Sequence, residues 1–129
     1  MDKEPVNKVA PQDIRERTFQ FSLDVVRLYK DLDKQSNTGR ILGKQLLRSG
    51  TSIGANVEEA QAGQSKADFI SKNAIALKEA RETVYWLKLL GASEVAMSAQ
   101  LSGVLSEAEQ LSRILGAIIV TAKNGKRKR

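Results

Sequence analysis

The chain has 129 residues, 41% of them hydrophobic, which is one domain's worth of material with enough apolar side chains for a core that needs no metal or disulfide. It contains no cysteine and no histidine, so disulfides, thiolate chemistry, zinc sites and imidazole acid–base catalysis are excluded together. The formal charge of +6 is concentrated at one end: Lys123, Lys126, Arg127, Lys128 and Arg129 are all basic, while residues 1–122 hold 16 basic and 15 acidic side chains.

In chain order, residues 1–12 carry both prolines, Pro5 and Pro11, and read as a flexible N-terminal arm with no apolar segment of the kind a signal peptide needs. A bundle domain is expected over 13–122 and a basic tail over 123–129. Asp13 is the expected N-cap of helix one, with Glu16 in capping-box position. That helix should run from Ile14 to Lys34, because Ile14, Thr18, Phe21, Val25, Leu28 and Leu32 recur at steps of three and four. Asp33 to Gly39 is a cluster of turn formers. Helix two should span Arg40 to about Ala62, with Leu42, Leu46, Ile53, Val57 and Ala60 facing the core. Its interior glycines, serines and threonine are poor helix formers, so tertiary packing must hold it, through either a tight helix contact or a kink.

Ser65 is the expected N-cap of helix three, with Asp68 imitating a capping-box acid. The helix should continue through Phe69, Asn73, Ala76, Ala80, Val84, Leu87 and Leu90 to a stop at Gly91. Helix four should begin near Ser98 and reach about Lys123, with Leu101, Leu105, Ala108, Leu111, Leu115, Ile118 and Ala122 inward. Val104, Ile114 and Ile119 broaden its apolar face beyond what an isolated bundle buries. No stretch reads as a strand. Four helices with short connections predict an all-α, antiparallel up-down-up-down four-helix bundle. The surplus apolar surface on helix four predicts a homo-oligomer. The longest wholly apolar run near the C-terminus, Ala117 to Val120, is too short to cross a bilayer, so no membrane role and a cytoplasmic location are expected.

The polar residues offer little catalytic chemistry. Glu59, Glu79 and Glu82 are carboxylates without the histidines that a helical metal centre uses, so no catalytic residue, metal or cofactor is expected. Glu79 and Glu82 should instead pair with Lys78, Arg81 or Arg48. Ser52 and Asn56 sit one helical turn apart among apolar residues. They suit an interhelical hydrogen bond that fixes register or, on a second reading, a polar ring at an oligomer axis. Trp86 reads as a core or interface anchor and, with Tyr85, less as a base-stacking surface. Arg40, Lys44 and Arg48 recur every fourth residue and form one basic stripe. Together with Lys123, Lys126, Arg127, Lys128 and Arg129 they are the candidate contacts to RNA or DNA phosphates, without sequence choice. A solubilising terminus is the alternative for the tail.

The segment RSGTSIGANVEEA, followed by SKADFISKNAIALKEARETVYWLKLL, resembles the bacterial four-helix bundle proteins of large-subunit rRNA intervening sequences. The resemblance covers most of the chain. It places the family pattern on Arg48, Ser52, Asn56 and Glu59, and on Phe69, Glu79, Glu82 and Trp86. Ala60 stands where glycine is usual, and Gln64 where many members have arginine. The resemblance implies assembly into a homopentameric ring. A related branch, the accessory variability proteins of diversity-generating retroelements, implies binding of nucleic acid and of a reverse transcriptase. The function expected from residues and resemblance together is a non-enzymatic oligomeric bundle that binds nucleic acid, as an accessory scaffold to a nucleic-acid-processing enzyme. A bundle serving only structural or protein-partner contacts is the alternative.

Overall fold

A computed structural model describes residues 11–125, with side chains from residue 14 onward. Among these residues there are four helices: α1 (Pro11–Gln35), α2 (Asn37–Gln61), α3 (Lys66–Ala92) and α4 (Ser98–Lys123). Each packs on its sequence neighbour, and α4 returns to α1 to close an all-α four-helix bundle. Cross-contacts show antiparallel neighbours: Arg15 meets Glu58 and Lys72 meets Glu59, and between α1 and α4 Gln35 meets Gln100 while Arg17 meets Glu107.

The helix ends are set by local chemistry. Helix α1 starts at Pro11, not at an Asp13 cap, which takes the last two residues of the expected arm into the bundle. Proline is suited to the first turn because the N–H it lacks would have no partner there. The expected seven-residue turn contracts to Ser36 alone. Its backbone is fully extended (φ −166°, ψ 164°), and its hydroxyl accepts from the Gly39 N–H at 2.9 Å. Ser65 caps α3 as its sequence suggests, accepting from the Asp68 N–H at 3.1 Å. The Asp68 carboxylate turns back to accept from the N–H of Gln64, one residue before the cap, at 3.3 Å. Gly91 does not stop α3. The helix ends in a paired C-terminal turn in which Glu94 N–H donates to Gly91 O and Val95 N–H to Leu90 O, both at 3.1 Å. That turn puts Glu94 at φ 63°, where glycine is the usual occupant.

All six residues of the α1 stripe, Ile14, Thr18, Phe21, Val25, Leu28 and Leu32, are buried. They meet α2 across its small residues. A Cβ on Gly50 would lie 2.9 Å from a Val25 methyl, and one on Gly43 would lie 3.0 Å from the Tyr29 ring. The weak helix formers of α2 therefore produce a tight contact, and the helix runs unbroken. On α4 only Leu101, Ala108, Leu111 and Leu115 are buried. Leu105, Ile118 and Ala122, expected inside, are only partly covered. Arg17 reaches Glu107 and Gln110. Gln100 meets Gln35 at the other end of α1, so these bonds tie α1 to the first half of α4, before Ile118 and Ala122. No helix among those residues is long and apolar enough to cross a membrane.

Candidate functional site

Charge is distributed unevenly over the helices. On α2, Arg40 is half-buried and donates to the Asn37 side chain, whereas Lys44 is exposed. Arg48 does not continue a free stripe. Its guanidinium bridges to α3, donating to Glu79 at 3.4 Å and to Glu82, and it also touches Gln45 at 3.4 Å. Spacing thus placed Arg40, Lys44 and Arg48 on one face correctly, but the Arg48 charge is spent on the carboxylates that the sequence offered as its partners.

Glu82 is the centre of this cluster. The Trp86 indole N–H donates to its Oε2 at 2.9 Å, and the same oxygen receives Arg48. The Trp86 hydrogen bond holds the Glu82 carboxyl below the usual carboxylate range, Arg48 adds to this, and partial burial opposes it. Trp86 in turn stands edge-on to Tyr85, with ring centroids 5.0 Å apart and planes at 73°. A chain of contacts therefore runs from Arg48 on α2 through Glu82 and Trp86 to an exposed Tyr85.

The remaining expected residues fall elsewhere. Glu59 pairs with Lys72 at 2.7 Å on the surface. The interhelical bond expected of Ser52 and Asn56 does not form. Asn56 donates to the Ser52 backbone carbonyl at 2.9 Å within α2, as a short amide readily does one turn from its own helix. The hydroxyl pair that joins α2 to α3 is Thr83 to Ser49, at 2.9 Å and fully buried. Sequence spacing does not single out that pair, because each residue looks unremarkable on its own helix. Lys123 is exposed at the end of α4. Lys126, Arg127, Lys128 and Arg129 lie outside the described residues. Among the described residues no group of three or more acidic side chains is arranged to hold a metal.

Two surface features were not foreseen. An apolar groove of about 610 Å³ lies between α3 and the C-terminal half of α4, lined by Phe69, Ile114, Ala117, Ile118 and Thr121 with Arg113 beside it. The outer face of α3 carries Lys78, Arg81, Tyr85 and Lys88, all exposed, and among the described residues none of the three cations forms an ion pair. Their spacing of three, four and three residues was a readable signal. It was hidden because Glu79 and Glu82 make the same helix look neutral in composition.

Residues 11–117 match the family model of the 23S rRNA-intervening sequence protein. A crystal structure of a protein of unknown function from the S23 ribosomal protein family of Bacteroides thetaiotaomicron is similar. The two chains are 41% identical over 86% of this chain and 98% of that one, with a TM-score of 0.81. No curated protein matches the chain.

Proposed function

The chain belongs to the 23S rRNA-intervening sequence protein family, and on that premise we propose that it is a non-enzymatic, oligomeric helical bundle that holds nucleic acid by its phosphate backbone. The observation that carries this reading is the placement of charge. Helix α4 ends at an exposed Lys123, and four of the next six residues are basic, beyond a body that is nearly neutral. Such a tail gains affinity by releasing counterions and does not read bases. The names of the matched family and of the Bacteroides relative both refer to ribosomal RNA or the ribosome, which agrees with an RNA setting. Repeating the tail and Lys44 around a homo-oligomer would multiply a weak grip. The pentameric number comes from the family resemblance, as does a role as accessory to a reverse transcriptase or similar enzyme. The apolar α3–α4 groove is the surface on which we place that assembly.

The test is a binding titration with RNA and DNA across salt concentrations, on protein whose mass is fixed by light scattering. The expected result is a pentamer that binds both, with affinity that falls steeply as salt rises. Deleting residues 123–129 should lower both the affinity and the salt slope while leaving helicity and mass unchanged. A monomer at all concentrations would overturn the assembly. Absence of binding at low salt would leave the same groove favouring the second reading, a bundle that serves protein contacts alone.

A further inference from the structure

We propose that the outer face of α3 is a second nucleic-acid site, in which Lys78, Arg81 and Lys88 hold the backbone of a single strand and Tyr85 stacks on one of its bases. The inference deepens the nucleic-acid reading above and rests on it, but it assigns the contact to the folded body and not to the tail.

The placement of these side chains carries it. From Lys78 to Lys88 is ten residues, about 15 Å along a helix, with cations at both ends and Arg81 between. All three are exposed, and among the described residues none has a carboxylate partner. The acids nearest in sequence, Glu79 and Glu82, are turned to Arg48. Across a shallow groove of about 340 Å³ on the α4 side, Arg113 adds a further cation next to Arg81, without an ion pair among the described residues, and Glu109 lines the same groove. Among the described residues, none of these cations has a salt-bridged carboxylate to give up before it meets phosphate, although Lys78 feels the Glu82 carboxylate and Arg81 shares its groove with Glu109.

Tyr85 selects the class of ligand. It lies within the cationic row and is 58% exposed. It is also held from behind: Trp86 abuts it edge-on, Glu82 fixes Trp86, and Arg48 fixes Glu82. An aromatic ring set among cations is the arrangement that binds single strands, where every base has a face to stack. A paired duplex hides those faces. The rest of the row is charged or small, with no large aliphatic side chain to enter a lipid layer. Arg48 thereby becomes a positioning residue for Tyr85 and not a phosphate ligand.

The experiment uses the full chain with a fluorescent single-stranded oligouridine, the matching oligothymidine and a duplex of the same length, titrated at several salt concentrations. Replacing Lys78, Arg81 and Lys88 together by alanine should reduce the salt slope for the single strand by about 2, since each phosphate contact in a single strand contributes roughly 0.7. The Tyr85→Ala variant should lose about tenfold in single-strand affinity, in line with one lost base stack, with its salt slope and duplex affinity unchanged. Tyr85→Phe keeps the ring and should bind like the parent. All substitutions lie on a solvent face, and unchanged helicity and mass confirm that the fold survives. If the parent binds single strands and the triple variant binds equally well with the same slope, the α3 site is overturned while the tail's role stands. If Tyr85→Ala binds as the parent does, or if duplex and single strand behave alike, stacking is overturned. If the parent binds nothing, the nucleic-acid reading itself fails. Binding of the parent, but not the triple variant, to anionic lipid vesicles in place of either nucleic acid would reassign the face to a membrane.

Discussion

The two hairpins of the bundle are built on opposite terms. In α1 and α2 every described arginine is engaged: Arg15 with Glu58, Arg17 with Glu107, Arg27 with Asp24, Arg40 with Asn37 and Arg48 with Glu79 and Glu82. The glycines of α2 are pressed against α1. In α3 and α4, Arg81 and Arg113 have no ion pair among the described residues, and Gly103 and Gly116 have nothing within 4 Å of where a Cβ would stand. The first hairpin is closed at its arginines and at the glycines of α2, and the second is open at Arg81, Arg113, Gly103 and Gly116. Both halves supply the core, but the tightest glycine contacts lie in one and the open glycines in the other.

The contrast breaks most sharply at Gly50. A Cβ there already approaches Val25 to 2.9 Å, well inside normal contact, and the clash falls on a buried branched side chain that cannot swing away. Gly50→Leu should therefore destabilise the protein by about 1–3 kcal/mol, the usual range for overpacking a tight core. Chemical denaturation measures this directly. A variant as stable as the parent would show that α1 and α2 can separate without cost, and the closed half would lose its definition.

A smaller effect is expected from Glu82, the residue through which the closed half reaches into the open one. Its folded pKa lies below the usual 4.5, chiefly because of Trp86 and with help from Arg48. A depressed acid pKa contributes stability that is present above the unfolded value and is lost as pH falls through the folded one. The parent should therefore lose melting temperature as pH drops below about 4.5, and Glu82→Gln should lose less over the same interval. Parallel curves for the two proteins would mean that the Arg48–Glu82–Trp86 chain contributes nothing to folding. Quenching of Trp86 fluorescence over the same titration reports whether the contact opens locally first.

The sequence made the closed half legible and the open half much less so. The α1 stripe was read without error, because a helix with neighbours along its whole length buries all of one face. On α4 the same periodicity named Leu105, Ile118 and Ala122 as core, yet they stay partly exposed. Periodicity tells which face is apolar and not how closely the neighbouring helices cover it. Arg40, Lys44 and Arg48 were placed on one face correctly. What neutralises Arg48 lies 31 and 34 residues further on, and spacing within one helix cannot show that. The Ser49–Thr83 bond was missed for the same reason, whereas the Ser65 cap, whose chemistry is entirely local, was read as it stands, and Asp68 turns back one residue further than a capping box, to the Gln64 N–H.

The smallest expected effect tests the open half from the other side. Gly103 lies in the second turn of α4, exposed, with nothing within 4 Å of its would-be Cβ. In an open helix a glycine mainly adds freedom to the unfolded chain, so Gly103→Ala should stabilise the bundle by about 0.5–1 kcal/mol. The sign carries more than the size. A gain in melting temperature with unchanged mass by light scattering means that this face of α4 meets solvent. A loss accompanied by a smaller mass means that a neighbouring protomer approaches the glycine backbone as closely as α1 approaches Gly50. Assembly would then repeat, between chains, the close packing that the first hairpin achieves within one.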